Sequence, residues 1–259
     1  MNKWRFLGLE TNNGYWNMGI DEAILQAVIE KKAEFTLRFY KWDPSTVSIG
    51  RNQSLTHEVD TKVAREEGFN VVRRITGGGA VFHDKEGEIT YSIVCSNKFL
   101  RNLGAHKVLE QFELITSSIS KALSLFGLNT DKGVIHCPAL FLDGKKFSGN
   151  AQIKKQGYIL QHGTILLDIN PELMYSVLKA PNNVSTTHMV ESVYAKCIGI
   201  KEKLENYEEK RFISCLKQGF SEVLKIDMET KDLSEYEYNL AQDLASNKYK
   251  QERWLKRYE

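Results

Sequence analysis

Residues 71–94 read VVRRITGGGAVFHDKEGEITYSIV. Val71 to Ile75 and Ala80 to Phe82 are strand-like runs on either side of three glycines. Beyond them Ile89, Tyr91 and Ile93 recur at every second position, so a pleated strand would turn all three to one face. Two further strand-like runs lie upstream, Thr36 to Tyr40 and Thr46 to Ile49, separated by the turn residues Asp43-Pro44-Ser45. Strands therefore come in a run, not one after each helix. This pattern predicts an α/β fold with a central mixed β-sheet flanked by helices, and argues against the doubly wound parallel sheet of nucleotide-binding folds.

Helical periodicity brackets these strands. Ile20, Ala23, Ile24, Ala27 and Val28 mark a first amphipathic helix. A longer one runs through Val108, Phe112, Ile115, Ile119, Leu123 and Phe126, with Gly127 placed for a left-handed C-cap. β-structure is expected again from Ala139 to Leu142, through a turn at Asp143-Gly144, from Lys146 onward, and from Tyr158 to Leu167. Asn170-Pro171 supplies an N-cap and first-turn proline for a short helix ended by Pro181, whereas Asn182 to Lys201 has weak periodicity and reads as a loop. Two more amphipathic helices fill the last third, the first turning Phe212, Cys215, Leu216, Phe220 and Val223 inward. No linker or repeat interrupts the chain, so residues 1–259 are expected to form one domain.

With 35 Lys and Arg against 33 Asp and Glu, the 259 residues carry a net charge of +2; 42% are hydrophobic and 26% charged. That balance is globular and lacks the basic excess of a nucleic-acid binder. No signal-peptide core follows Met1, and no apolar run approaches the ~18 residues of a membrane span, so a cytoplasmic protein is expected. Cys95, Cys137, Cys197 and Cys215 form no CxxC pair, which suggests neither a disulfide framework nor a zinc cluster.

Two segments concentrate unusual residues. In the first, Arg73-Arg74 precedes Gly77-Gly78-Gly79. A glycine-rich turn is one reading; the other is an anion-binding concavity, in which glycine N–H groups and planar guanidinium donors receive phosphate or carboxylate. No GxGxxG opens a helix and no Lys-Ser or Lys-Thr follows, so the Rossmann and P-loop motifs are excluded. His83 beside Asp84 could act as a general base or metal ligand, or simply be a hydrogen-bonded structural histidine. The second segment is Lys145-Lys146-Phe147-Ser148-Gly149-Asn150-Ala151-Gln152. If Phe147 enters the core, alternation sends Lys146 and Ser148 to the opposite face, where small neighbours leave room for a ligand. There a lysine can polarise a carbonyl as charge develops on it; a solvated hairpin lysine is the alternative.

Asn17-Met18-Gly19-Ile20-Asp21-Glu22-Ala23, Arg38-Phe39-Tyr40-Lys41-Trp42, Arg73 through Asp84, Lys146 through Gln152 and Gln161-His162-Gly163-Thr164 together resemble the lipoate-protein ligase A family, within the wider group of biotin ligases and octanoyltransferases. The resemblance implies a biotin/lipoate-protein-ligase-like catalytic domain that activates lipoate with ATP, assisted by Mg2+, and passes the lipoyl group to a lysine of a lipoyl domain, on an E2 subunit or a glycine cleavage H protein. Carried over by position, Arg73, Thr76, Gly77, Gly78 and Gly79 line the lipoyl-adenylate pocket, His83 sits at its rim, and Lys146 is the catalytic lysine. Ser148, Gly149, Ala151, His162, Gly163 and Thr164 complete the set. An apolar tunnel would draw on Val47, Ile49, Val81 and Phe147. The accessory C-terminal domain of single-chain relatives has no counterpart before Glu259, which implies a separate small accessory subunit or a reaction without ATP. The runner-up is a cysteine-dependent octanoyltransferase fed by octanoyl carrier protein, with Cys137, nine positions before Lys146, as nucleophile. A non-catalytic binding subunit ranks third, because Lys146 is retained beside the intact glycines.

Overall fold

The computed structural model describes residues 4–131 and 139–259. Its first half runs β1 (Trp4–Asn12), α1 (Gly14–Ile29), β2 (Phe35–Trp42), β3 (Thr46–Ile49), α2 (Leu55–Glu58), α3 (Thr61–Glu66), β4 (Asn70–Arg73), β5 (Val81–His83), β6 (Glu88–Ser96), α4 (Asn97–Asn102) and α5 (Val108–Phe126). The second half holds β7 (Leu140–Leu142), β8 (Lys145–Lys155), β9 (Tyr158–Leu166), α6 (Pro171–Val177), α7 (Thr186–Lys196), α8 (Glu209–Leu224), β10 (Met228–Thr230), α9 (Glu235–Leu244) and α10 (Glu252–Leu255).

Seven strands form a mixed sheet in the order β10-β1-β2-β6-β9-β8-β7. β1 is parallel to both neighbours, and every pair from β2 to β7 is antiparallel. Strand alternation divides the core between the two faces. Leu37 and Phe39 of β2 and Ile89, Tyr91 and Ile93 of β6 pack with Ile119 and Leu123 of α5 and Phe212, Leu216 and Phe220 of α8. Tyr40, Trp42, Val94 and Leu160 face the other way, against α1 and Ala241 of α9. A second sheet, β4-β3-β5, has its own small core around Val47, Ile49 and Phe82. The expected mixed sheet flanked by helices is thus the observed architecture.

α5 ends as expected: Gly127 has φ 107° and donates to Leu123 and Ser124. Asn170 caps α6 through Leu173 N, with Pro171 in the first turn. Two elements depart from expectation. β1 gives no alternating signal because both of its faces are covered, with Trp4 and Phe6 in one core, Leu7 in the other and buried Arg5 paired with Glu237. The segment read as a loop contains α7, which begins at the Ser185 cap and buries none of its residues, so it carries no apolar stripe to read.

Residues 252–259 return to the small sheet. Trp254 Nε1 donates to the Arg73 carbonyl at 2.7 Å, and the Glu259 carboxylate accepts from Leu55 N, Thr56 Oγ1 and Ser54 Oγ at the start of α2. No helix of the described residues is long and apolar enough to cross a membrane.

Candidate functional site

The two sheets and α6 enclose a cavity of about 340 Å³, near the lower end of the roughly 300–1,000 Å³ usual for small-molecule pockets. The small sheet and glycine loop contribute Ser48, Arg74, Gly78, Gly79, Ala80, Val81, Phe82 and His83. From the large sheet come Tyr40, Trp42, Thr90, Lys146, Gly149, Asn150, Ala151, His162, Gly163, Thr164 and Leu166. Met18, Met174, Tyr175, Leu178 and Cys197 complete the lining.

Lys146 reaches this cavity for the reason its strand suggests. Phe147 is fully buried against α5 and α8, so the pleat turns Lys146 to the other side. A Cβ on Gly149 would stand 3.2 Å from Lys146 Nζ, so the missing side chain leaves a groove in which the ammonium lies. Among the described residues no hydrogen bond or ion pair engages that ammonium.

The arginines are placed otherwise than expected. Arg73 is off the pocket wall: its guanidinium donates to the carbonyls of Gly50, Arg51 and Gln53 on one side and of Trp254 and Leu255 on the other, at 2.6–3.2 Å. Arg74, one residue on and hence facing oppositely, lines the pocket. It donates to Ser48 O at 3.0 Å, Ser48 Oγ at 3.1 Å, Gly77 O at 2.8 Å and Gly79 O at 2.7 Å. Both guanidinium groups are spent on backbone carbonyls, Arg74 on those of the glycine loop and Arg73 on those of residues 50–53 and 254–255, instead of presenting open forks to an anion. Burial lowers the Arg74 pKa to about 10, which leaves it charged at neutral pH.

Thr76, Gly77 and Ser148 also lie off the wall. Thr76 is fully buried behind His162, its Oγ1 2.7 Å from His162 Nε2. Ser148 is buried beneath Asn150. Gly78, Gly79, His83, Gly149, Ala151, His162, Gly163 and Thr164 line the cavity with Lys146. Of the expected tunnel only Val81 faces it; Val47 and Ile49 belong to the small-sheet core and Phe147 to the α5–α8 core. Met18, Trp42, Met174, Tyr175 and Leu178 supply the apolar wall instead, from positions whose sequence pattern is that of ordinary core.

Both pocket histidines are held at each ring nitrogen. His83 Nδ1 lies 2.7 Å from Glu88 Oε1 and Nε2 lies 2.8 Å from Ser48 Oγ, while Trp42 stacks on the ring at 4.0 Å. His162 Nδ1 lies 3.0 Å from Asp21 Oδ2. Burial would raise the Asp21 pKa, but the His162 hydrogen bond and the Arg38 charge outweigh it and hold the carboxyl below its ordinary range. Arg38 and Asp21 stand in the motifs quoted above, and the structure gives them this buried pair, 3.1 Å apart.

Cys197 pairs with Lys146 as an isolated parallel bridge, and Ile198 N donates to Lys146 O at 3.0 Å. Burial pushes the Cys197 thiol up, with the Lys146 charge acting in the opposite direction. Only its place beside Lys146 marks it, and sequence spacing does not show that. Cys137 lies outside the described residues. Among the described residues no three His, Cys, Asp or Glu side chains converge on a metal position, so the expected Mg2+ has no ligand set there.

This pocket can hold an acyl chain along its apolar wall with a carbonyl near Lys146. Among curated proteins the chain is 32% identical to octanoyltransferase LipM of Brevibacillus brevis over 276 aligned positions, covering 98% of this chain and 99% of that protein. It is 33% identical to octanoyltransferase LipM of Oceanobacillus iheyensis, covering 95% and 94%. Among solved structures it matches, at TM-score 0.86 and 27% identity, a chain of the bi-partite lipoate protein ligase from Thermoplasma acidophilum, analysed with its E2 lipoyl domain, over 100% of this chain and 98% of that one. Lipoate-protein ligase A bound with ATP follows at TM-score 0.84 and 27% identity, over 99% and 100%. The order of the two enzymatic readings is corrected by these relatives. The motifs shared by the whole group put ATP-dependent lipoate ligation first, but these curated relatives, matched nearly end to end, are octanoyltransferases. Residues 13–221, from the N-cap of α1 to within α8, match the lipoyl protein ligase A/B catalytic domain, and with relatives of this kind along its whole length the chain belongs to that enzyme family.

Proposed function

We propose that this chain is an octanoyltransferase that moves an octanoyl group from a carrier-protein thioester, through a cysteine thioester, to a lysine of a lipoyl domain on an E2 subunit or glycine cleavage H protein. The carrying observation is the Lys146 ammonium, lying in the Gly149 groove at an acyl-sized pocket without a carboxylate partner among the described residues. Thioester exchange and aminolysis both pass through an oxyanion at the same carbon, and one fixed cation lowers both barriers. A thioester donor is already activated, so neither ATP nor an adenylating accessory subunit enters the reaction. Cys137 is the proposed nucleophile. Cys197, whose thiol burial keeps protonated, forms part of the acyl wall.

Purified protein incubated with octanoyl carrier protein and an apo lipoyl domain, without ATP, is expected to add one octanoyl mass to the domain. Lys146→Ala is expected to slow transfer by about 10²–10³. Cys137→Ser is expected to abolish it, and Cys197→Ser to retain it. Acylation that needs free acid and ATP, and ignores the carrier thioester, would overturn the assignment.

A further inference from the structure

Two carboxylate–imidazole–hydroxyl chains flank the pocket, and they are not equivalent. The Asp21–His162–Thr76 chain is neutralised at its carboxylate end: Arg38 lies 3.1 Å from Asp21 Oδ1, and the Tyr40 hydroxyl donates to Oδ2 at 3.0 Å. Its hydroxyl, on Thr76, lies off the pocket wall. In the Glu88–His83–Ser48 chain, Thr90 donates to Glu88 Oε1 at 2.7 Å, and His83 is the one basic side chain paired with Glu88 among the described residues. Glu88 Oε2 is buried without a hydrogen-bond partner there. Glu88 and Ser48 are each 1% exposed and His83 5%, yet Ser48 and His83 both line the pocket. A buried carboxylate with no permanent cation stabilises a positive charge that forms on the imidazole beside it. Arg74 already donates to Ser48 Oγ at 3.1 Å, so the hydroxyl proton of Ser48 has His83 Nε2 as its acceptor, with the imidazole proton on Nδ1 facing Glu88.

We propose that Ser48, His83 and Glu88 form the proton relay that deprotonates the acceptor lysine during acyl transfer, with Ser48 as the pocket end. This rests on the function proposed above. The neutral lysine amine attacks the acyl carbon of the enzyme thioester. As the C–N bond forms, an amine proton passes to Ser48 Oγ and the Ser48 proton passes to His83 Nε2, leaving an imidazolium against Glu88. Collapse of the tetrahedral intermediate breaks the C–S bond, and the proton returns through Ser48 to the departing thiolate. Amide and thiol are the products, and the relay is restored.

The test compares two acceptors on the intact protein supplied with octanoyl carrier protein. One is the lipoyl domain, and the other is hydroxylamine, whose weakly basic nitrogen leaves a more acidic proton on the tetrahedral adduct and so depends less on a base. Rates are corrected for the uncatalysed reaction. In His83→Gln and Ser48→Ala, octanoyl-lysine formation is expected to fall about a hundredfold or more and hydroxamate formation far less, so the hydroxamate-to-lysine product ratio rises at least about tenfold. His162→Gln, from the neutralised chain, is expected to keep the wild-type ratio. Equal losses with both acceptors in the His83 and Ser48 variants, or a ratio that shifts in the His162 variant instead, would overturn the relay. A wild-type protein that makes neither product overturns the octanoyltransferase assignment itself, and the relay with it.

Discussion

Gly78 shows how much of the glycine triplet is conformational. It alone of the three has positive φ, at 97°, and a Cβ there would stand 2.9 Å from the Arg74 guanidinium that braces the loop; nothing lies within 4 Å of the corresponding positions at Gly77 and Gly79. An L-residue in that region costs about 1–2 kcal/mol. Gly78→Ala is therefore expected to lose about that much stability in urea melts and to weaken acyl transfer, with Gly77→Ala and Gly79→Ala each losing clearly less. At this scale the sequence shows where the dense chemistry lies but not which way it points. Lys146 and His83 are legible because a buried neighbour and a distinctive motif locate them. Arg73 and Arg74 look equivalent as letters, yet adjacent positions turn to opposite sides, and only the tertiary register decides that Arg74 faces the pocket.

Elements with one apolar face are the most legible in the sequence. α5 carries a stripe and β6 alternates, while α1 shows a stripe although the fold buries it almost all round. β1 is covered on both faces, whereas α7 is covered on neither, so periodicity has nothing to report. α7 is held by polar contacts: Ser185 caps His188 N at 3.1 Å, the Tyr194 hydroxyl donates to Glu172 at 2.6 Å, and Lys145 Nζ donates to Tyr194 O at 2.9 Å. Removing a serine cap costs about 1 kcal/mol. In Ser185→Ala, amide hydrogen exchange is expected to quicken about fivefold across residues 186–196, while the global unfolding midpoint stays put because no buried residue of α7 is lost.

For the whole molecule, the pocket exists because two separate sheets are held together around it. Alternation within the large sheet predicts its two cores, but the approach of the small sheet depends on contacts between residues distant in sequence, such as Trp42 stacked on His83 and Thr76 Oγ1 against His162 Nε2, which no local pattern records. Arg73 ties the small sheet to the C-terminal tail, donating to Gly50 and Leu255 carbonyls across 23 and 182 residues of sequence. Hydrogen bonds from a charged donor contribute about 1.5–3 kcal/mol each, and the Gly50 carbonyl would be left buried and unpaired. Arg73→Ala is therefore expected to destabilise the protein by at least about 3 kcal/mol in urea unfolding, and an Arg73→Lys change to recover only part of this, since an ammonium cannot span both sets of carbonyls.

The Trp254–Arg73 and Glu259–Thr56 contacts also tie the last turn to the start of α2 and to β4, the strand that leads into the glycine loop. Tail, loop and small sheet are accordingly coupled: Lys256 is exposed, yet the bonds that hold the backbone around it also brace the strand entering the glycine loop, so proteolysis near Lys256 is expected to quicken in Arg73→Ala.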